Sequence, residues 1–160
     1  MIVVSDTSPI TYLMQIDKVY LLQQLFQTVI IPLHVYKELC AVDDQKKWLM
    51  SESAYWIEVK QATDLEFVKR LNAVLDKGES EAIALAKELK AEVILVDELK
   101  GRNIAIGEGL MVTGVMGVLL AAKRQNSIIE IKSSIDSLIK KGFRISDNIY
   151  RAILTHANEI

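Results

Sequence analysis

Short apolar runs, each ending in an acid, a hydroxyl or a proline, alternate along this chain with stretches of helical spacing. The first run, Ile2-Val3-Val4, is too short for an amphipathic helix and lacks polar alternation. It predicts a strand buried on both faces. Pro9 suits the first turn of a following helix, where its missing N–H would have no partner, and Thr7 or Ser8 is placed to cap it. Helical spacing continues over residues 10–15 and 19–26. Residues 28–31 form a second strand, and Pro32 opens a helix whose Val35, Leu39 and Val42 share one face. A polar helix over 43–53, anchored by Trp48 and Leu49, leads to a short or edge strand at 55–59. An amphipathic helix over 64–75 follows, which Gly78 is expected to break before the next helix at 79–89. Two further strands, 93–96 and 110–113, flank a helix ended by Gly107 and Gly109. A strongly apolar helix at 115–124 and two more at 131–141 and 147–156 complete the chain. This alternation implies an α/β fold with a largely parallel, doubly wound sheet.

Two of the strands end alike, the first in Asp6 and the fourth in Asp97. Open α/β sheets place their sites at the carboxyl ends of strands, and a helix N-terminus beside Asp6 favours its ionised form. Asp6 alone also reads as an ordinary helix cap. Glu38 lies beside the buried face of its helix, where it is either a site acid or a solvated glutamate. Glu79 and Glu81 enter the first turn of an alanine-rich helix, where carboxylates complement the helix dipole. Two residues apart, they point in different directions, so one of them is expected to face inward. Glu79 lines up with Ala82, Ile83 and Ala86, and Glu81 with Leu85 and Leu89, so periodicity leaves the choice open.

Composition narrows the chemistry. A formal charge of −2 argues against a surface coated with basic groups, though not against a local basic groove. The single cysteine, Cys40, excludes an internal disulfide and a cysteine zinc cluster, and its apolar setting predicts a buried, inert thiol. With no apolar signal core behind a basic segment and no apolar run of membrane-spanning length, the expected compartment is the cytoplasm.

If the strands bearing Asp6 and Asp97 are neighbours, the acids converge at one sheet edge. Clustered carboxylates without basic partners raise each other's pKa values or demand a cation. Mg²⁺ or Mn²⁺ meets that demand through oxygen ligands and can activate water against a phosphoryl group. Lys100 and Arg102, just past Asp97, are placed to hold a phosphate. There is no phosphate-binding Gly-rich loop and no Gly-x-Ser-x-Gly elbow, and His34 and His156 lie far apart. Haloacid-dehalogenase phosphatases also open with a strand and an aspartate, but Ser8 stands here where their second aspartate would be.

Four segments then occur in a telling order: Val4-Ser5-Asp6-Thr7-Ser8-Pro9, Ile31-Pro32 with Val35-Tyr36-Lys37-Glu38-Leu39, Gly78-Glu79-Ser80-Glu81-Ala82-Ile83-Ala84-Leu85-Ala86, and Val96-Asp97-Glu98 with Gly101-Arg102. Together they resemble the PIN domain, in particular the short prokaryotic PIN-like proteins related to VapC-type toxins. The resemblance runs to about residue 125. It implies one PIN-like, Rossmann-like three-layer α/β/α domain over 1–160, with a core of about 1–125 and a C-terminal helical extension of about 126–160. It further implies an Mg²⁺- or Mn²⁺-dependent ribonuclease whose metal-binding acids are Asp6, Glu38, Glu79 or Glu81, and Asp97. Thr7, Ser8, Lys100, Arg102 and Thr113 are the expected substrate contacts. RNA is the implied substrate and a small antitoxin protein the implied partner. The chain departs from the toxin pattern in its Glu-x-Glu pair, in the Gly-Arg after the fourth acid and in its added C-terminal helices. Those departures support the alternative, a PIN-like nucleic-acid-binding or regulatory module without turnover. A small-molecule phosphohydrolase is a further alternative. The apolar surplus of Val115, Met116, Val118, Leu119 and Leu120, extended by Ile128 and Ile129, predicts either a homodimer or a helix buried within the monomer.

Overall fold

A computed structural model describes residues 1–160. Five strands, β1 (Val3–Ser5), β2 (Val29–Pro32), β3 (Ile57–Lys60), β4 (Val93–Leu95) and β5 (Val112–Thr113), form one parallel sheet in the order β3-β2-β1-β4-β5. The strand order reverses between β1 and β4, the point at which an open parallel sheet leaves a crevice beyond its carboxyl ends.

Period-two alternation divides the core. Val3, Val29, Ile31 and Leu95 face one layer, while Val4, Ile30, Ile94 and Val96 face the other. The first layer is built by α1 (Thr7–Gln15), α2 (Tyr20–Phe26), α3 (Leu33–Cys40) and α8 (Val115–Arg124), with α9 (Lys132–Lys140) and α10 (Asp147–His156) packed on it. The second is built by α5 (Leu65–Asn72), α6 (Lys77–Leu89) and α7 (Leu99–Gly107). The three-layer sandwich expected from the sequence is therefore present. The first layer needs its C-terminal helices: Ile131, Ile135, Leu138 and Leu154 are each no more than 1% exposed within it. Each such residue contributes about 1.5–3 kcal/mol by leaving water. Val115, Val118 and Leu119 of α8 are buried in the same layer, Met116, Leu120 and Ile128 are half-buried, and Ile129 stays 93% exposed. No helix is long and apolar enough to cross a membrane.

Local expectations are corrected at four places. The polar helix α4 stops at Leu49 (Asp43–Leu49), and a 3₁₀ turn at Glu52–Ala54 follows, with Trp48 set edge-on against Trp56 at 5.7 Å. Gly78 does not break the preceding helix. It is the second residue of α6, and the chain turns at Asp76, whose side chain caps α6 by accepting the Glu79 N–H at 2.8 Å. At the start of α1 the cap position belongs to Asp6, while Thr7 and Ser8 are already helical. Cys40, at the end of α3, is half-buried rather than enclosed.

Candidate acidic active site

The register Val3↔Val93, Val4↔Ile94, Ser5↔Leu95 brings the carboxyl ends of β1 and β4 level, and Asp6 donates its backbone N–H to Leu95 C=O at 3.0 Å. Asp6 and Asp97 thus meet at the strand-order reversal. Asp6 occupies the cap position of α1, yet its carboxylate makes no capping hydrogen bond into that helix. The backbone N–H of Thr7, the first helical residue, acts on it and favours its ionised form. Asp97 accepts the Val115 N–H at 2.9 Å through Oδ1, which orients it, while its Oδ2 is buried without a partner.

Helix α6 brings the next acids. Glu79 is 4% exposed, and its Oε2 is also buried without a hydrogen bond. Its carboxylate lies with those of Asp76 and Glu98, one oxygen from each lying within 4.8 Å of the others; Asp76 and Glu98 are exposed and open the cluster to solvent. Glu38 reaches across from α3, partly exposed, with His34 Nε2 3.4 Å from its Oε1. Glu81 is 9% exposed, so both members of the Glu-x-Glu pair are buried, whereas only one was expected inward. Glu79 adjoins Asp6, Asp76 and Glu98, while the charge of Glu81 is felt by Glu38.

Three glycines make room for these carboxylates. A Cβ on Gly78 would collide with Glu38 Oε1 and stand 3.2 Å from Asp6 Oδ1. One on Gly101 would collide with Glu79 Oε2, and one on Gly114 with Asp97 Oδ1.

The electrostatics follow from this crowding. Burial raises Asp6 from its ordinary 3.8 to about 7; the Thr7 N–H opposes the rise, and Asp76, Glu38 and Asp97 add to it. Burial likewise lifts Glu79 to about 8, reinforced by Asp76, Asp6 and Glu98. Glu38 is raised by burial, against the pull of His34 and with the repulsion of Asp76 and Glu81. Asp97 is raised by burial, with the Val115 N–H and Arg102 opposing. Two orphaned buried oxygens, an all-oxygen donor set and an excess of negative charge fit a hard divalent cation. Asp76, Glu79 and Glu98, with Asp6 and Asp97 behind them, are the residues that could hold it.

Sequence reasoning missed Asp76 and Glu98. The spacing Asp76-x-x-Glu79 is a capping signature, and that signal could have drawn attention to Asp76. Of the expected substrate contacts, the Thr7 hydroxyl is buried without a partner, and Ser8 and Lys100 are exposed. Arg102 turns inward and donates to Val96 C=O at 3.1 Å beside Asp97. Thr113, half-buried at the end of β5, lines a groove with Asp97 and Arg102.

A comparison with curated proteins finds no match. The family model DUF3368, described as a PIN domain, matches residues 2–159, which takes in the C-terminal helices as well as the four acid-bearing segments. PIN domains are generally nucleases, and a sheet whose β1 and β4 ends gather more carboxylates than nearby cations is in keeping with one: this chain belongs to the PIN-domain family.

Proposed function

We propose that this protein is a metal-dependent endoribonuclease that hydrolyses RNA phosphodiester bonds at the acidic pocket, and that it acts as the toxin of a toxin–antitoxin pair. The observation that carries the nuclease reading is the convergence of Asp6, Asp97, Asp76, Glu79 and Glu98, with buried Oε2 and Oδ2 atoms that nothing in the protein satisfies. Mg²⁺ or Mn²⁺ bound there would supply Lewis-acid polarisation of the phosphoryl oxygen and a lowered pKa for attacking water. The chain's own part is to hold the reacting groups in line and to manage a proton. Glu38, partly exposed and flanked by His34, is placed to accept the proton from the attacking water. The Val115 N–H keeps Asp97 oriented throughout. The antitoxin belongs to this reading through the likeness to VapC-type proteins, and co-purification with the product of an adjacent small reading frame tests it. Cleavage of single-stranded and structured RNA with Mn²⁺, Mg²⁺ and EDTA tests the nuclease. The expected result is metal-dependent cleavage that Asp6→Asn and Asp97→Asn abolish; cleavage in EDTA, or full activity in both variants, refutes it.

A further inference from the structure

A groove of about 560 Å³ opens directly beside the acidic pocket, and nothing in the chemistry above uses its far wall. One side carries Asp97, Arg102 and Thr113. The other is supplied by the C-terminal segment, with Arg144, Ser146 and Ile149 at the entry to α10. That second wall is built rather than draped. Phe143 packs edge-on against Tyr12 at 5.0 Å, Tyr150 donates to Asp136 Oδ1 at 2.6 Å, and Glu159 accepts the Ile131 and Lys132 N–H groups. Arg144 is exposed and takes part in none of the chain's ion pairs, so its charge is available to a ligand. Between the two arginines the lining is apolar, with Met116, Ile149 and Ile153, and Ile149 is 53% exposed. Asp147, the acid nearest Arg144 along the chain, does not line the groove.

An exposed arginine at the rim, a second one held deeper beside Asp97 and apolar side chains in the same lining suit a polyanion that also presents flat apolar faces. Unstacked bases do so, and a duplex keeps its bases stacked inside. We infer that this groove seats the single-stranded nucleic-acid segment next to the scissile phosphate, with Arg144 binding a backbone phosphate and Ile149 lying against a base. This rests on the nuclease reading and extends it: the C-terminal helices become a wall of the substrate path.

The test is binding of a fluorescent single-stranded oligoribonucleotide to the full chain carrying Asp6→Asn, over a salt series, beside cleavage by the chain with Asp6 intact. Arg144→Ala should weaken binding about two- to fivefold, the worth of one exposed ion pair, and make the log–log salt slope shallower by about 0.7. It should raise KM and leave kcat unchanged. Ile149→Lys and Ile149→Glu alter one side chain with opposite charge. A strand in the groove requires the lysine variant to bind more tightly than the glutamate variant, a sign that a structural effect would not produce. If RNA is cleaved but Arg144→Ala is silent and the two Ile149 variants agree, the strand runs elsewhere and the nuclease reading stands. If RNA is neither bound nor cleaved by any form, the nuclease reading fails and the groove with it.

Discussion

Gly78→Ala and Gly101→Ala are the same chemical change at two edges of one pocket, and the structure assigns them opposite outcomes. Both residues are helical with ordinary backbone angles, so replacement by alanine alone should gain about 0.4–1 kcal/mol. The difference lies in what the new methyl group meets. At Gly78 it meets Glu38 Oε1, the far end of a flexible side chain that is 41% exposed and can swing outward, and stands 3.2 Å from Asp6 Oδ1, which has to give by only a few tenths of an ångström. At Gly101 it meets Glu79 Oε2, on a side chain only 4% exposed, and Val96 Cγ1 at 3.0 Å, and neither can retreat. Overpacking of that kind costs about 1–3 kcal/mol, so a net loss of up to about 2.5 kcal/mol remains. For a chain of this size the loss lowers Tm by up to roughly 10 °C, whereas Gly78→Ala should leave Tm unchanged or raise it by up to about 4 °C. The price of Gly78→Ala appears elsewhere. With Glu38 displaced, the rate of RNA cleavage should fall, although the fold and the Mn²⁺-induced rise in Tm, which rests on Asp76, Glu79 and Glu98, are intact. Thermal melts of wild type and both variants, in EDTA and in Mn²⁺, read the stabilities, and a cleavage assay reads the rate. A Gly78→Ala protein as destabilised as Gly101→Ala would show that Glu38 is locked in place. Full cleavage by Gly78→Ala would remove Glu38 from the site.

Asp6 and Glu79 have folded-state pKa values raised to about 7 and 8, so the native state holds protons that the unfolded chain has lost above about 4. Their contribution to stability is present at low pH and lost as pH rises through 7 to 8; metal-free protein should therefore melt at a lower temperature at pH 8 than at pH 5.5, and a rise over that interval would contradict the raised values. The Mn²⁺-induced shift in Tm should run the other way and grow from pH 5.5 to 8, because the cation competes with those protons. Asp6→Asn removes one repulsive charge from a carboxylate that caps nothing, so apo stability should hold or rise while the Mn²⁺ shift shrinks; a loss of stability in EDTA would restore a structural role. Arg102→Ala leaves the Val96 carbonyl and Asp97 without their guanidinium neighbour and should cost about 1–3 kcal/mol by denaturant melt; an unaffected midpoint would mean that Arg102 faces outward in solution.

Patterns that repeat within one element were legible without a structure. Runs such as Val93-Ile94-Leu95, buried on both sides, announce parallel strands, and the acid that ends a run stays at its end whatever the strand packs against. Asp6 and Asp97 were visible for that reason. The arrangement of α6 was not. Whether Glu79 or Glu81 turns inward depends on which neighbours surround the helix, and with α3, α5 and the sheet all packed against it both are buried. Gly78 reads as a helix breaker in one dimension, and in three it is the gap that admits Glu38 and Asp6. Asp76 has the sequence of an ordinary cap and enters the acidic cluster only because the start of α6 lies at the β1–β4 crevice. Local spacing sets the period of an element and the residues at its ends. The distance between carboxylates on different elements is set by sheet order and helix packing, which a linear pattern does not contain.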